Sequence, residues 1–177
     1  EEEIWQALGY RDDLLDVAEP FGLWVIEAPQ AVEKELPLDR AGLPVVFTAD
    51  VTPYKLRKVR MLNGGHTSMV LGAYLAGKNT VLECMQDPLI RGRLEHALGE
   101  EILPTLDLPK ADLQAFAAAV LERFENPYNK HYLLSIALNS VSKFRARVLP
   151  SIQGSVQRFG ALPPRLTFAL AALIAFY

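Results

Sequence analysis

The segment Lys55-Leu56-Arg57-Lys58-Val59-Arg60-Met61-Leu62-Asn63-Gly64-Gly65-His66-Thr67-Ser68 brings an ammonium, an amide and an imidazole close together in the chain. On an α-helix advancing about 100° per residue, Lys58 and His66 lie about 80° apart, and Asn63, about 140° from Lys58, lies about 60° from His66. All three polar groups can then face one cavity. Gly65 projects no side chain from nearly the same face as Lys58, which predicts room for a ligand to approach the backbone. This combination suits proton exchange between an alcohol and a carbonyl. A desolvated Lys loses its proton near neutrality, the Asn amide donates to the reacting oxygen, and His donates or accepts beside it. Adjacent glycines cost about 1 kcal/mol each in a helix interior relative to Ala, so a pair directly before His66 trades stability for access. The same residues also fit a solvated basic helix face, with Gly64-Gly65 as a helix break.

Other reactive side chains carry weaker signals. Arg123 and His131 flank Asn126-Pro127, where positive charge also suits a helix C-terminus. Lys143, Arg145 and Arg147 alternate and read mostly as a solvated face, with Lys143 able to reach the site. Cys84 sits among apolar neighbours without a local base, the pattern of a packed thiol rather than a nucleophile. His96 stands with Glu95 and Glu100 but has no second His four residues on, so surface charge is favoured over metal binding.

The whole chain narrows the classes of function. Its 177 residues are 50% hydrophobic and 22% charged, enough to bury a core of one domain and incompatible with disorder or low complexity. With 18 basic residues against 21 acidic ones and a net charge of -3, a nucleic-acid partner is disfavoured. One cysteine excludes a disulfide framework and fits a reducing, cytoplasmic compartment. The acidic N-terminus is unlike a secretory signal, and the closing apolar run Leu166–Tyr177 is about half the ~20 residues a membrane span needs. The chain starts without Met and stops inside that run, which suggests a piece of a larger protein.

These groups need a scaffold. Glu2 to Asp16, with Val17 extending its apolar pattern, predicts a short helix and a turn. Phe21–Ile26, bounded by Pro20 and Pro29, and Val45–Thr48 predict two strands. Between them lies a Pro- and Gly-bearing segment with at most a helical turn. Thr52-Pro53 starts a long helix to Ala76, stopped by Gly77. Further helices are expected from Asp87-Pro88 to Leu98, from Ala111 to Phe124, from Lys130 to Arg147, from Ser151 to Phe159 and after Pro163-Pro164. The fold class is mainly α, with two short strands near the N-terminus.

Lys58-Val59-Arg60-Met61-Leu62-Asn63-Gly64-Gly65-His66 resembles the signature of the long-chain mannitol dehydrogenase family: Lys, any residue, Arg, any residue, Leu, Asn, two small residues, His. The resemblance extends to Pro20–Glu27, to Lys34-Glu35-Leu36-Pro37, to Phe47–Tyr54, to Arg123-Phe124-Glu125-Asn126-Pro127 with Lys130-His131, and to Ser142-Lys143 and Val148-Leu149-Pro150-Ser151. It covers essentially the whole chain and is strongest to the family's hexuronate branch. It implies a multi-helical C-terminal domain of the mannitol dehydrogenase type (6-phosphogluconate dehydrogenase C-terminal-like), residues 1–177 forming one substrate-binding and catalytic domain. An N-terminal Rossmann domain of the same parent chain would hold NAD, since no glycine-rich βαβ fingerprint is present. By the same resemblance Lys58 is the general acid/base, Asn63 and His66 bind the reacting oxygen, and no metal takes part. Arg60, Arg123, His131 and Lys143 are the candidate partners of a sugar acid or polyol substrate. A non-catalytic helical interaction domain is the alternative from a different class.

Overall fold

The computed structural model describes residues 1–16 and 21–177; Val17 and Pro20, assigned above to the first helical pattern and to the strand boundary, lie outside the described residues. The chain forms two compact units, Glu1–Val51 and Thr52–Tyr177.

In the first unit, α1 (Glu2–Leu8) stops at Gly9, whose φ of 74° is open to glycine, and the Gly9 N–H donates to the Trp5 carbonyl. Strands β1 (Trp24–Glu27) and β2 (Val45–Thr48) pair in parallel, Trp24 opposite Val45 and Glu27 opposite Thr48. Parallel strands need a crossover rather than a tight hairpin. The segment between them supplies it through α2 (Gln30–Glu35) and a 3₁₀ turn at Asp39–Ala41. The first strand begins at Trp24 and not at Phe21. The Trp24 N–H reaches the Pro44 carbonyl at 2.9 Å, and Pro44 has no N–H with which to carry the ladder further.

The second unit is helical throughout. The long helix expected from Thr52 is α3 (Thr52–Arg57), a π-helical turn (Lys58–Asn63) and α4 (Gly64–Leu75) in succession. Thr80 opens α5 (Val81–Gln86) with a capping box to Glu83. Asp87 accepts from the Leu89 and Ile90 amides to start α6 (Pro88–His96). A second π-helical turn (Ala97–Ile102) follows, then a 3₁₀ turn (Leu103–Thr105) and α7 (Lys110–Phe124). The single helix predicted from Lys130 to Arg147 is instead two, α8 (Leu133–Ala137) and α9 (Ser140–Arg147). Asn139 adopts φ 58° between them, a left-handed conformation that Asn tolerates better than most residues. The chain closes with α10 (Leu149–Phe159) and α11 (Pro164–Phe176).

Met61, Leu98, Ile102, Leu113, Leu133, Val148 and Leu166 form the most buried part of the core, around α4. Gly72 lets α11 come close to α4, since a Cβ there would stand 2.9 Å from the Phe168 ring. The buried Glu101 carboxylate accepts from the Arg165 and Leu166 amides at 3.0 and 2.9 Å, and from the Arg165 guanidinium at 3.2 Å. An acidic group thus satisfies the orphan donors at the N-terminus of α11. Among the described residues no helix is long and apolar enough to cross a membrane. Glu101→Ala should lower the stability of the helical unit by about 2–4 kcal/mol, because it strands buried amides. Urea denaturation checks it through a lower midpoint at unchanged slope.

Candidate active site

Lys58 opens the π-helical turn and Asn63 closes it. The Gly64 N–H, on the residue after it, reaches back to the Val59 carbonyl, five positions earlier. In a turn closed this way, residues five apart stand above one another, whereas an ordinary α-helix would leave Lys58 and Asn63 about 140° apart. The insertion therefore draws Asn63 round towards the Lys58 side. Lys58 is exposed in this chain and not desolvated as expected from the sequence, while Asn63 and His66 are half-buried. The Thr67 hydroxyl donates to the Asn63 carbonyl at 2.8 Å, and the Ser68 hydroxyl donates to the Gly65 carbonyl at 2.9 Å.

The glycines do not provide the ligand access expected of Gly65. Both are buried. A Cβ at Gly64 would lie 3.1 Å from the Arg147 carbonyl oxygen, and one at Gly65 would lie 3.4 and 3.5 Å from Leu98 and Leu94. At Gly64 the smallness serves helix packing, since α9 closes on it, while Gly65 faces α6 and the turn after it at ordinary contact distance.

His66 stacks on Phe124 with ring centroids 3.8 Å apart and planes inclined by 9°. His131 stands edge-on to it at 5.1 Å. Phe124 ends α7 and carries Arg123 beside it. An isolated antiparallel bridge between Thr80 and Tyr132 holds His131, the Val81 N–H donating to the His131 carbonyl at 3.0 Å. Burial, followed by the charges of His131, Arg147 and Arg123, pushes the His66 pKa down to about 3. Burial and Lys143 lower that of His131. Lys143 is itself lowered by burial and by Arg147. Its ammonium donates to the Ile136 carbonyl at 2.7 Å, an acceptor near the end of α8. The fold therefore gathers His66, Arg123, His131 and Lys143 into one basic cluster, with the imidazole of His66 neutral at ordinary pH.

Arg60 is placed elsewhere. It is 8% exposed, and it donates from Nε to the Ser151 hydroxyl at 2.8 Å and from a terminal nitrogen to the Thr105 hydroxyl at 3.2 Å. Burial first, and then Arg158, lowers its pKa. That guanidinium ties the π-helical turn to α10 and to the Leu103–Thr105 turn, so it does not join the groups around His66. Cys84 is packed as expected: its thiol donates to the Thr80 carbonyl, and burial, reinforced by Glu83, raises its pKa to about 11. A cavity of about 260 Å³ between α4, α6 and α11 is bordered by Met69, Gly72, Arg93 and Phe168 and holds none of the candidate residues.

Sequence reasoning set Arg147 aside as solvated. It is half-buried and reaches the Thr67 hydroxyl at 3.5 Å. The signal available was the Lys143/Arg147 spacing of four, which puts both on one face of a helix.

The mannitol dehydrogenase C-terminal domain profile matches residues 50–177, all of the helical unit. The chain belongs to the mannitol dehydrogenase family. It is 54% identical over 175 residues to proteins named altronate oxidoreductase from Cronobacter sakazakii and Shigella flexneri, covering 99% of this chain and 36% of each relative. The chain thus spans about a third of the length of these curated relatives. Among solved structures, D-sorbitol dehydrogenase in substrate-free form superposes with a TM-score of 0.84 at 28% identity, over 99% of this chain and 36% of that one. Pseudomonas fluorescens mannitol 2-dehydrogenase, solved with NAD and D-mannitol, gives 0.69 at 28% identity over 77% and 28%. The mainly helical fold and the family membership foreseen from the signature are both borne out.

The depressed His66 pKa has a consequence for stability. Between about pH 6.5 and pH 3 the folded chain binds fewer protons at this site than the unfolded chain, so its stabilising contribution is full above that window and is lost as pH falls through it. His66→Asn should therefore lose less thermal stability than the parent between pH 7 and pH 5. Parallel melting curves for the two proteins would remove this assignment.

Proposed function

We propose that the chain is the substrate-binding C-terminal part of an NAD-dependent oxidoreductase interconverting tagaturonate and altronate. One observation carries the reading: the Lys58, Asn63 and His66 positions bracket a π-helical turn beside a basic cluster, in a chain 54% identical to altronate oxidoreductases over nearly its full length.

In reduction Lys58 gives a proton to the carbonyl oxygen as it becomes an alcohol, and in oxidation it takes that proton back. The half-buried Asn63 amide donates to the same oxygen and fixes its direction. Neutral His66, held flat against Phe124, offers a ring N–H without carrying a charge of its own, and so polarises the carbonyl without competing for the proton. Arg123, His131 and Lys143 surround the remaining polar groups of the substrate.

The residues present do not form a dinucleotide cradle. Gly64 and Gly65 are buried under Arg147, Leu94 and Leu98, so their amides face no open surface where a pyrophosphate could sit. NAD, which exchanges hydride with the substrate carbon, would be held by a Rossmann domain elsewhere in the parent protein.

The decisive experiment is a panel of tagaturonate, fructuronate and fructose with NADH and NADPH on the full-length parent protein. Tagaturonate with NADH should give the highest kcat/KM. A preference for fructose would move the assignment to a mannitol-type activity, one for fructuronate to the neighbouring uronate, and no turnover at all would favour a non-catalytic helical domain. In the same protein Lys58→Met should lower kcat by about 10²–10⁴-fold with little change in cofactor affinity. Activity within threefold of the parent would exclude Lys58 as the proton-transfer group.

A further inference from the structure

The groups around His66 are all basic. Those that act electrostatically on it are His131, Arg147 and Arg123; Lys143 acts on His131, and Arg147 acts on Lys143. They come from four elements: α4, the end of α7, the segment before α8, and α9. No carboxylate of the described residues appears among the groups shifting His66, His131 or Lys143. Elsewhere in the helical unit three guanidinium groups have acidic partners, Arg91 with Glu95, Arg158 with Asp107 and Arg165 with Glu100 and Glu101, while Arg60 is held by two hydroxyls and Arg57 and Arg93 lie over aromatic rings. Arg123, Lys143 and Arg147 are half-buried, and like charges gathered in a partly desolvated site repel one another, so a bound anion relieves that repulsion.

Arg147 is the member best built to receive one. It ends α9, and its backbone carbonyl is pressed against Gly64, so its Cα is fixed by helix packing. The Thr67 hydroxyl has already given its proton to the Asn63 carbonyl, and therefore meets Arg147 as an acceptor, at 3.5 Å. This contact brings the guanidinium to Thr67, the residue after His66, close enough for its charge to act on the His66 ring. Its remaining N–H groups have no acidic partner among the described residues. A planar fork matches a carboxylate in two parallel hydrogen bonds, which a point-charge ammonium cannot do.

We infer that Arg147, seconded by Lys143, receives the carboxylate of the sugar-acid substrate, and that this contact makes the enzyme prefer hexuronates over neutral ketoses and polyols. The inference rests on the oxidoreductase reading above, and it assigns to Arg147 the discrimination that Arg60, committed to Ser151 and Thr105, does not supply. A site built to hold a charged group rejects an analogue without it far more strongly than an apolar pocket rejects a small change in size.

The test compares the full-length enzyme with its Arg147→Gln and Arg147→Lys variants, each with NADH, on tagaturonate and on the neutral ketose tagatose at high concentration. Arg147→Gln should lower the tagaturonate-to-tagatose ratio of kcat/KM by about 10²-fold, mostly through KM for tagaturonate. Arg147→Lys, which keeps the charge but not the fork, should fall between. An unchanged ratio in Arg147→Gln, with both substrates losing equally, overturns the inference and leaves Arg147 a packing residue. Should Arg147→Gln fail to fold, the ratio in Arg147→Lys decides by the same criterion, a shift of fivefold or more being expected. A parent enzyme that turns over tagatose as well as tagaturonate shows no discrimination to explain and overturns the inference, while its proton-transfer assignment stands or falls separately with Lys58→Met.

Discussion

The close approach of α9 to the backbone of α4 at Gly64 is the constraint on which the placement of the groups around His66 depends. A single methyl group at Gly64 would meet the Arg147 carbonyl at 3.1 Å, whereas one at Gly65 would stand in ordinary van der Waals contact with Leu98 and Leu94. Because interiors are packed as densely as crystals, a side chain at 64 would move α9 away from α4. The same contact that excludes a side chain at 64 brings Arg147 to Thr67. Site geometry and core packing thus meet at Gly64, where the missing Cβ comes at a helix cost of about 1 kcal/mol.

The π-helical turn is the second device. An inserted residue loosens the hydrogen-bond ladder and is retained where it re-aims side chains. Between Lys58 and Asn63 it re-aims the polar groups, and it also sends Arg60 inwards, where the guanidinium bonds to Ser151 and Thr105. One irregular turn therefore holds both the exposed Lys58 and half-buried Asn63, proposed above for proton exchange, and a buried cation that fastens the turn to its neighbours. Electrostatics follows from this placement. His66 remains neutral because it is desolvated and surrounded by cations, and the repulsion within that cluster leaves it suited to an anionic ligand.

Much of this was legible in the residues. The helix-start chemistry of Asp87-Pro88, the left-handed glycines at 9 and 77 and the β-branched Val45-Val46 run each act locally, through groups a few positions apart, and so mark their elements directly. The Lys58–His66 signature likewise lies within one continuous segment. The break at Asn139 was not legible, because Asn is compatible with both a helix interior and a left-handed turn, and the choice is made by whether α9 can reach Gly64. The strand start at Trp24 depended on Pro44, a partner twenty positions away.

By itself the sequence determined the helical class of the chain, its family, and which residue types could move a proton, since these depend on local periodicity and on a contiguous motif. The tertiary structure alone decided which basic side chains meet. Arg60 and Arg147 look alike in the chain, yet one is spent on Ser151 and Thr105 in the core and the other stands beside His66. That difference arises from packing between segments some eighty or ninety residues apart, where no spacing rule reaches.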